Sequence, residues 1–388
     1  MTPPRGFTTA EFEARTARAQ ALMAQAGLDA LLLTTEPEVR YFTGYLTRFW
    51  ESPTRPWFLL VPASGKPVAV IPSIGAWLMG TTWLDDIRTW QAPDLSDDGV
   101  SLLAHTLREQ VPSTGKIGVP SGHETHLRMP LADYHRLAAQ LDGRALCDDA
   151  AIMRRLRLVK STAEIDKIRH ACTIAGDAFA AVPDFARQGV ALDECFRRFQ
   201  MACLEHGADW VSYTAGGAGR DGYGDVISPA TSQPLETGDI LMIDTGLVWD
   251  GYFCDYDRNF AIGTPSTTSI NAHTRLMQAV DAGLATAKPG ATASDLYHAM
   301  DKVLTGGKAD PAGGRLGHGL GMQLTEWPSL IASDHTELEP GMVLTLEPGI
   351  ETVDGRIMVH EENIVITQTG AEFLSPRAGE QLVVCDNT

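Results

Sequence analysis

"DTGLVWDGYFCDYDR", residues 244–258, is the stretch from which the fold can be argued. It contains Asp250 and Gly251, a two-residue hairpin signal flanked by apolar runs. If that pair is the loop, residue 246 faces 255 and residue 244 faces 257. Side chains alternate along a strand, so Asp244, Asp255 and Asp257 then share one face. Three carboxylates that close raise one another's pKa or require a counter-cation, and a hard divalent metal meets that need. The alternative is a set of solvated aspartates on an exposed strand. The apolar residues "ILMI" before them and "YFC" between them favour burial.

Further along the chain, Glu347 stands in "VLTLEPGI", where Pro348 and Gly349 end the strand. Glu361 stands in "IMVHEENIVIT", where alternation puts Val359, Glu361 and Asn363 on one face and His360, Glu362 and Ile364 on the other. Taken singly, each glutamate reads as a rim carboxylate. His318 lies in "LGHGLGMQLTEWPSL", residues 316–330, among Gly317, Gly319 and Gly321, which allow close backbone approach. Two Asp, one His and two Glu on strands suit two cations about 3.5 to 4 Å apart, bridged by carboxylates. The mixed oxygen and nitrogen donors admit Mn, Fe, Co or Zn.

The ordered set Asp244, Asp255, His318, Glu347, Glu361, carried in "DTG…CDYDR", "GHGLG", "TLEPG" and "HEEN", resembles the creatinase, prolidase and methionine aminopeptidase superfamily, the M24 metallohydrolases of pita-bread fold. The resemblance implies an α+β chain with a C-terminal pita-bread catalytic domain, 156–388. Before it comes a smaller N-terminal α/β creatinase-type domain, 1–155. It also implies a metallohydrolase with two divalent ions that cleaves a C–N bond of a small or dipeptide substrate. Xaa-Pro is the default specificity and a homodimer the usual state. Glu347 becomes the proton acceptor, and Glu326 a second carboxylate at the site wall.

Peptidases of this family carry two further histidines, one upstream of the first aspartate ligand and one in a "His-Glu-x-Pro" stretch. Here the second position is Thr325 in "LTEWP", and "YTAGGAGRDGYGDVISPATSQPLETGD" has no histidine. His360 does not substitute, because alternation points it away from the face of Glu361. Metal-assisted hydrolysis survives such losses, but they open an alternative: a non-peptidase hydrolase or lyase acting on an osmolyte or amidine-like zwitterion. A catalytically silent binding module is the third reading, and the intact ligand set argues against it.

On the substrate side, "TRFWESPTRPWF", residues 47–58, concentrates aromatics and arginines that recognise carboxylates and cations. By resemblance, Trp50 and Arg55 reach a partner subunit's site; the alternative places them in the local core. Tyr223 and Asp225, in the histidine-free loop, and Thr325 complete the substrate candidates.

The 388 residues are 44% hydrophobic and 21% charged with a formal net charge of −18, which argues against nucleic acid or an anionic membrane as partner. No run of about 20 apolar residues is present, and the start lacks a signal-peptide core, so a cytoplasmic enzyme is expected. The six cysteines show neither zinc spacing nor disulfide density. Apolar periodicity predicts a helix over 9–26, then strands in "LDALLLTT", "PWFLLVP", "PVAVIP" and "KIGVP". Ser161 and Glu164 form a capping box ahead of an apolar stripe at Ile165, Ile168, Ala171 and Cys172.

Overall fold

Uninterrupted apolar runs such as "ALLL" and "FLLVP" bury every residue, which requires cover on both sheet faces. In the computed structural model these runs lie in the Pro4–Arg157 unit, one of two compact units; the other is Leu158–Thr388. The structure describes residues 2–51, 55–308 and 314–385, so positions 52–54 of the aromatic stretch lie outside the described residues. The units divide two residues after the expected boundary. The helix Ile152–Leu158 is tied back to the first unit by the Tyr41 hydroxyl, which donates to the Leu156 carbonyl.

The first unit is a mixed six-stranded sheet in the order Ile87–Trp90, Val68–Pro72, Phe58–Pro62, Ala30–Leu33, Lys116–Val119, Ala145–Asp148. Leu32, Leu60, Val70 and Val119 meet Leu103 and Leu107 of the helix Val100–Gln110 in one core.

The second unit holds two larger sheets. One runs Val383–Cys385, Tyr256–Ile262, Asp239–Trp249, Trp210–Arg220; the other runs Glu326–Ser329, His318–Gly319, Val343–Leu346, Glu362–Ile366, Ala371–Phe373. Ile240 and Met242 of the first sheet share a core with Leu344, Leu346 and Ile364 of the second. Leu276, Val280, Leu296 and Met300, from helices Thr267–Thr286 and Ala293–Leu304, complete it.

Local chemistry fixes the parts that carry the site. Asp250 and Gly251 both take positive φ, 48° and 79°, as a type I′ turn demands. The ladder then pairs Asp244 with Asp257, the register expected from that loop. Lys167, nearly fully buried, reaches Asp250 at 2.5 Å, and the Tyr252 hydroxyl donates to Glu164 Oε1 at 2.9 Å. Glu164 also closes the Ser161 capping box at the start of the helix Thr162–Ala180, so one helix start pins the hairpin. At Gly319 a side-chain carbon would sit 2.2 Å from the Trp327 carbonyl oxygen, so only glycine lets the two strands approach.

"IMVHEENIVIT" is not one strand. Ile357–Val359 pairs with Gly349–Glu351, and Glu362–Ile366 pairs with Val343–Leu346. The ladder breaks at His360, whose N–H donates to the Pro348 carbonyl, and at Glu361, whose carbonyl accepts from Arg258.

Candidate metal centre

Asp244 lies within its strand, whereas Asp255, Glu347 and Glu361 sit just outside strand ends, where backbone freedom lets side chains converge. His318 lies at a register shift between its strand and Glu326–Ser329, and a bulge of this kind re-aims a side chain. Its Nδ1 is 2.8 Å from the Gly319 carbonyl oxygen. A carbonyl only accepts, so Nδ1 carries the proton and Nε2 presents a lone pair. That Nε2 is 3.3 Å from Asp255 Oδ2 and 4.0 Å from Glu347 Oε2. Asp255, His318 and Glu361 each offer one atom within 4.8 Å of the others, and all three are buried. A single cation can be held by all three.

Asp244 Oδ1, Glu347 Oε2 and Glu361 Oε1 are buried with no hydrogen-bond partner, a costly state for a carboxylate. Burial first, then neighbouring carboxylates, pushes Asp244, Asp255 and Glu361 well above the usual range. Glu347 is raised by burial against the pull of His318, and His318 is lowered by burial and then by Arg315. Orphaned oxygens, raised carboxyls and a lone-pair imidazole fit divalent cations, whose charge inverts each of these penalties.

Two known families match this chain: Metallopeptidase family M24 over residues 166–368, and the creatinase/prolidase N-terminal domain over 15–159. The chain belongs to metallopeptidase family M24. As an M24 member it is a hydrolase of peptidase type and has the pita-bread fold in its second unit. It is 30% identical over 386 residues to the probable dipeptidase PepE of Mycobacterium tuberculosis, a match covering 98% of each chain. The crystal structure of dipeptidase PepE from Mycobacterium ulcerans superposes with a TM-score of 0.83 at 29% identity, covering 98% of this chain and 99% of that one. The prolidase of Thermococcus sibiricus shares the fold at a TM-score of 0.86 and 21% identity, covering 98% and 100%.

The remaining candidate residues of this M24 chain fall in varied settings. Glu326 is not among the clustered carboxylates. It pairs with buried Lys160 at 3.0 Å and accepts from the Met322 and Gln323 amides, which closes a turn, and its charge acts on His318. Tyr223, expected at substrate, is fully buried. Its hydroxyl donates to Asn259 and accepts from the Val359 amide. Asp225 is exposed and accepts from the Ile227 and Ser228 amides, capping its own loop. Trp50 is buried against Trp57, 5.6 Å between rings, with the Arg128 guanidinium over it; it serves the core of the first unit. Arg55 is half-buried and lies over Phe49. Thr325 is exposed, and its hydroxyl accepts from Arg315 at 3.2 Å.

Asp257, His360 and Asn363 were named from the sequence without the partners they take here, and Tyr213 was missed. Asn363 clasps the backbone of Asp255, accepting from its N–H at 3.0 Å and donating to its carbonyl. Asp257 is buried at about 7, raised by burial against the pull of His360. His360 Nε2 is 3.2 Å from Glu362, and its Nδ1 is 3.8 Å from Asp257 Oδ1. The Tyr213 phenol is pushed upward by burial and then by Asp244 and Asp255. The "HEEN" spelling placed Asn363 on the side of Glu361 without revealing what it holds.

Proposed function

We propose that this M24 enzyme holds two divalent cations and cleaves the C–N bond of a dipeptide-sized substrate, with Xaa-Pro dipeptides the first candidates and manganese the first ion to test. The carrying observation is the convergence of four carboxylates and one imidazole with three carboxylate oxygens left unbonded. Asp244, Asp255, His318, Glu347 and Glu361 would hold the ions. Bound there, divalent cations acidify a water and stabilise negative charge on a carbonyl oxygen.

The side chains supply the rest. Glu347, 30% exposed, is the open member of the set. It accepts the proton of the attacking water and returns it to the leaving amine. Arg315 lowers Asp255 and Glu347 through its charge and, with Thr325, is suited to orient a substrate carboxylate. The dipeptidase relatives support a small peptide substrate. A homodimer in which Arg55 reaches a partner's site, and a cytoplasmic setting, belong to the same reading; light scattering tests the first.

The second reading, a non-peptidase hydrolase or lyase on a small zwitterion, is favoured by Thr325 and by the absence of histidine from residues 213–239. One assay separates the two: mass spectrometry of products after incubating the manganese-loaded protein with Xaa-Pro and non-proline dipeptides, with Asp255→Asn as control. Dipeptide turnover lost in the variant establishes the first reading. No turnover from a protein that holds its metal removes it and leaves the second.

A further inference from the structure

Asp255 sits where its sheet gives out. The strand Tyr256–Ile262 pairs with Asp239–Trp249 on one edge, whereas on the other edge Val383–Cys385 reaches only Phe260–Ile262. Asp255 precedes that strand and is 4% exposed. Buried backbone groups need partners, and no strand on that outer edge extends to it.

Asn363 supplies what is missing. A carboxamide offers one acceptor and a donor, as a peptide group does. Its Oδ1 accepts from the Asp255 N–H at 3.0 Å, and its Nδ2 donates to the Asp255 carbonyl. The reverse orientation would set amide hydrogens against that N–H, so the assignment is forced. The same Oδ1 takes a second donor, the Cys172 thiol, at 3.2 Å. Cys172 and Asn363 are both fully buried, and burial pushes the thiol up, so it keeps its proton. Asn363 is itself held, donating its N–H to Ser375 Oγ at 3.0 Å and accepting at its carbonyl from the Leu374 N–H at 2.8 Å. The Tyr256 hydroxyl donates to the Cys172 carbonyl at 2.7 Å, which ties the helix Thr162–Ala180 to the residue after Asp255.

We propose that Asn363, steadied by the Cys172 thiol, is a positioning residue that sets how tightly the centre binds its cations, because it fixes the Asp255 backbone and with it the carboxylate 3.3 Å from His318 Nε2. This role rests on Asp255 being a metal ligand.

Calorimetric titration of the chelator-treated protein with manganese, beside thermal melts, tests it. Asn363→Leu keeps the size of the side chain and loses both bonds to Asp255, so manganese should bind about 10- to 100-fold more weakly. Ile366→Ala, on the same strand and equally buried, should lower the melting temperature through a lost core contact and leave the affinity unchanged. Cys172→Ala should weaken binding about fivefold for want of one hydrogen bond, and Cys172→Ser, which restores a donor, should return most of it. That pair keeps the test sound if Asn363→Leu does not fold. A loss in Asn363→Leu no larger than in Ile366→Ala, or equal affinities in Cys172→Ala and Cys172→Ser, overturns the positioning role and leaves the metal reading standing. A wild-type chain that binds no manganese removes both.

Discussion

Asp257 sits directly across the ladder from Asp244 and titrates at about 7 instead of the ordinary 3.8. Asp244, Asp255 and Glu361 are raised in the same direction. In the unfolded chain these carboxyls ionise near pH 4, whereas the fold holds their protons to higher pH. Their penalty is therefore absent below the unfolded values and grows as pH rises through the folded ones. The chelator-treated protein should melt at a lower temperature at pH 8 than at pH 5. Saturating manganese should flatten or reverse that slope, because cations favour the ionised forms. A metal-free midpoint that rises with pH would remove the buried-carboxylate account.

The same residues show what a sequence reveals at this scale. Asp244, Asp255 and His318 could be picked out because turn signals and glycines constrain short spans of backbone. Glu326 could not be assigned to its partner, since Lys160 lies 166 positions away and nothing local ties them. Tyr223 sits among glycines that read as an open loop, yet a bridge to Ile357 carries it inside.

At the scale of elements, the turn Gly321–Glu326 is closed by Glu326, which pairs with Lys160 and accepts from the Met322 and Gln323 amides. Lys160 and Glu326 side chains are 2% and 6% exposed, so removing one partner strands a buried charge. Lys160→Met should cost about 3–5 kcal/mol in urea unfolding. The double variant Lys160→Met with Glu326→Gln should recover part of that loss; no recovery would show that the lysine acts through packing alone. The capping box of the helix Thr162–Ala180 and the Asp250–Gly251 turn were legible because their rules are local. The break at His360–Glu361 was not. It depends on Pro348 and Arg258, brought from other strands, and alternation within one segment carries no trace of them.

For the whole molecule, the two units have separate apolar cores, and all five proposed ligands belong to one of them. Calorimetry of the metal-loaded chain should resolve two transitions. Chelation should lower only the one belonging to Leu158–Thr388, since a ligand stabilises the unit that binds it. A single transition shifted as a block would show that the units unfold together. No helix among the described residues is long and apolar enough to cross a membrane. The two-unit architecture was expected from the resemblance; a cavity of about 250 Å³ was not, since it is walled by segments from Gly176 to Val383 that meet only in the folded chain.

The two-residue turn at Asp250–Gly251 has one more effect. Because Asp244 faces Asp257 through a ladder counted from that turn, adding or deleting one residue between them would slide the register and rotate one aspartate off the shared face. Many substitutions can accumulate in this hairpin without disturbing that count, whereas a single-codon insertion or deletion would dismantle the centre in one step. Over evolutionary time the span should therefore drift in spelling but not in length.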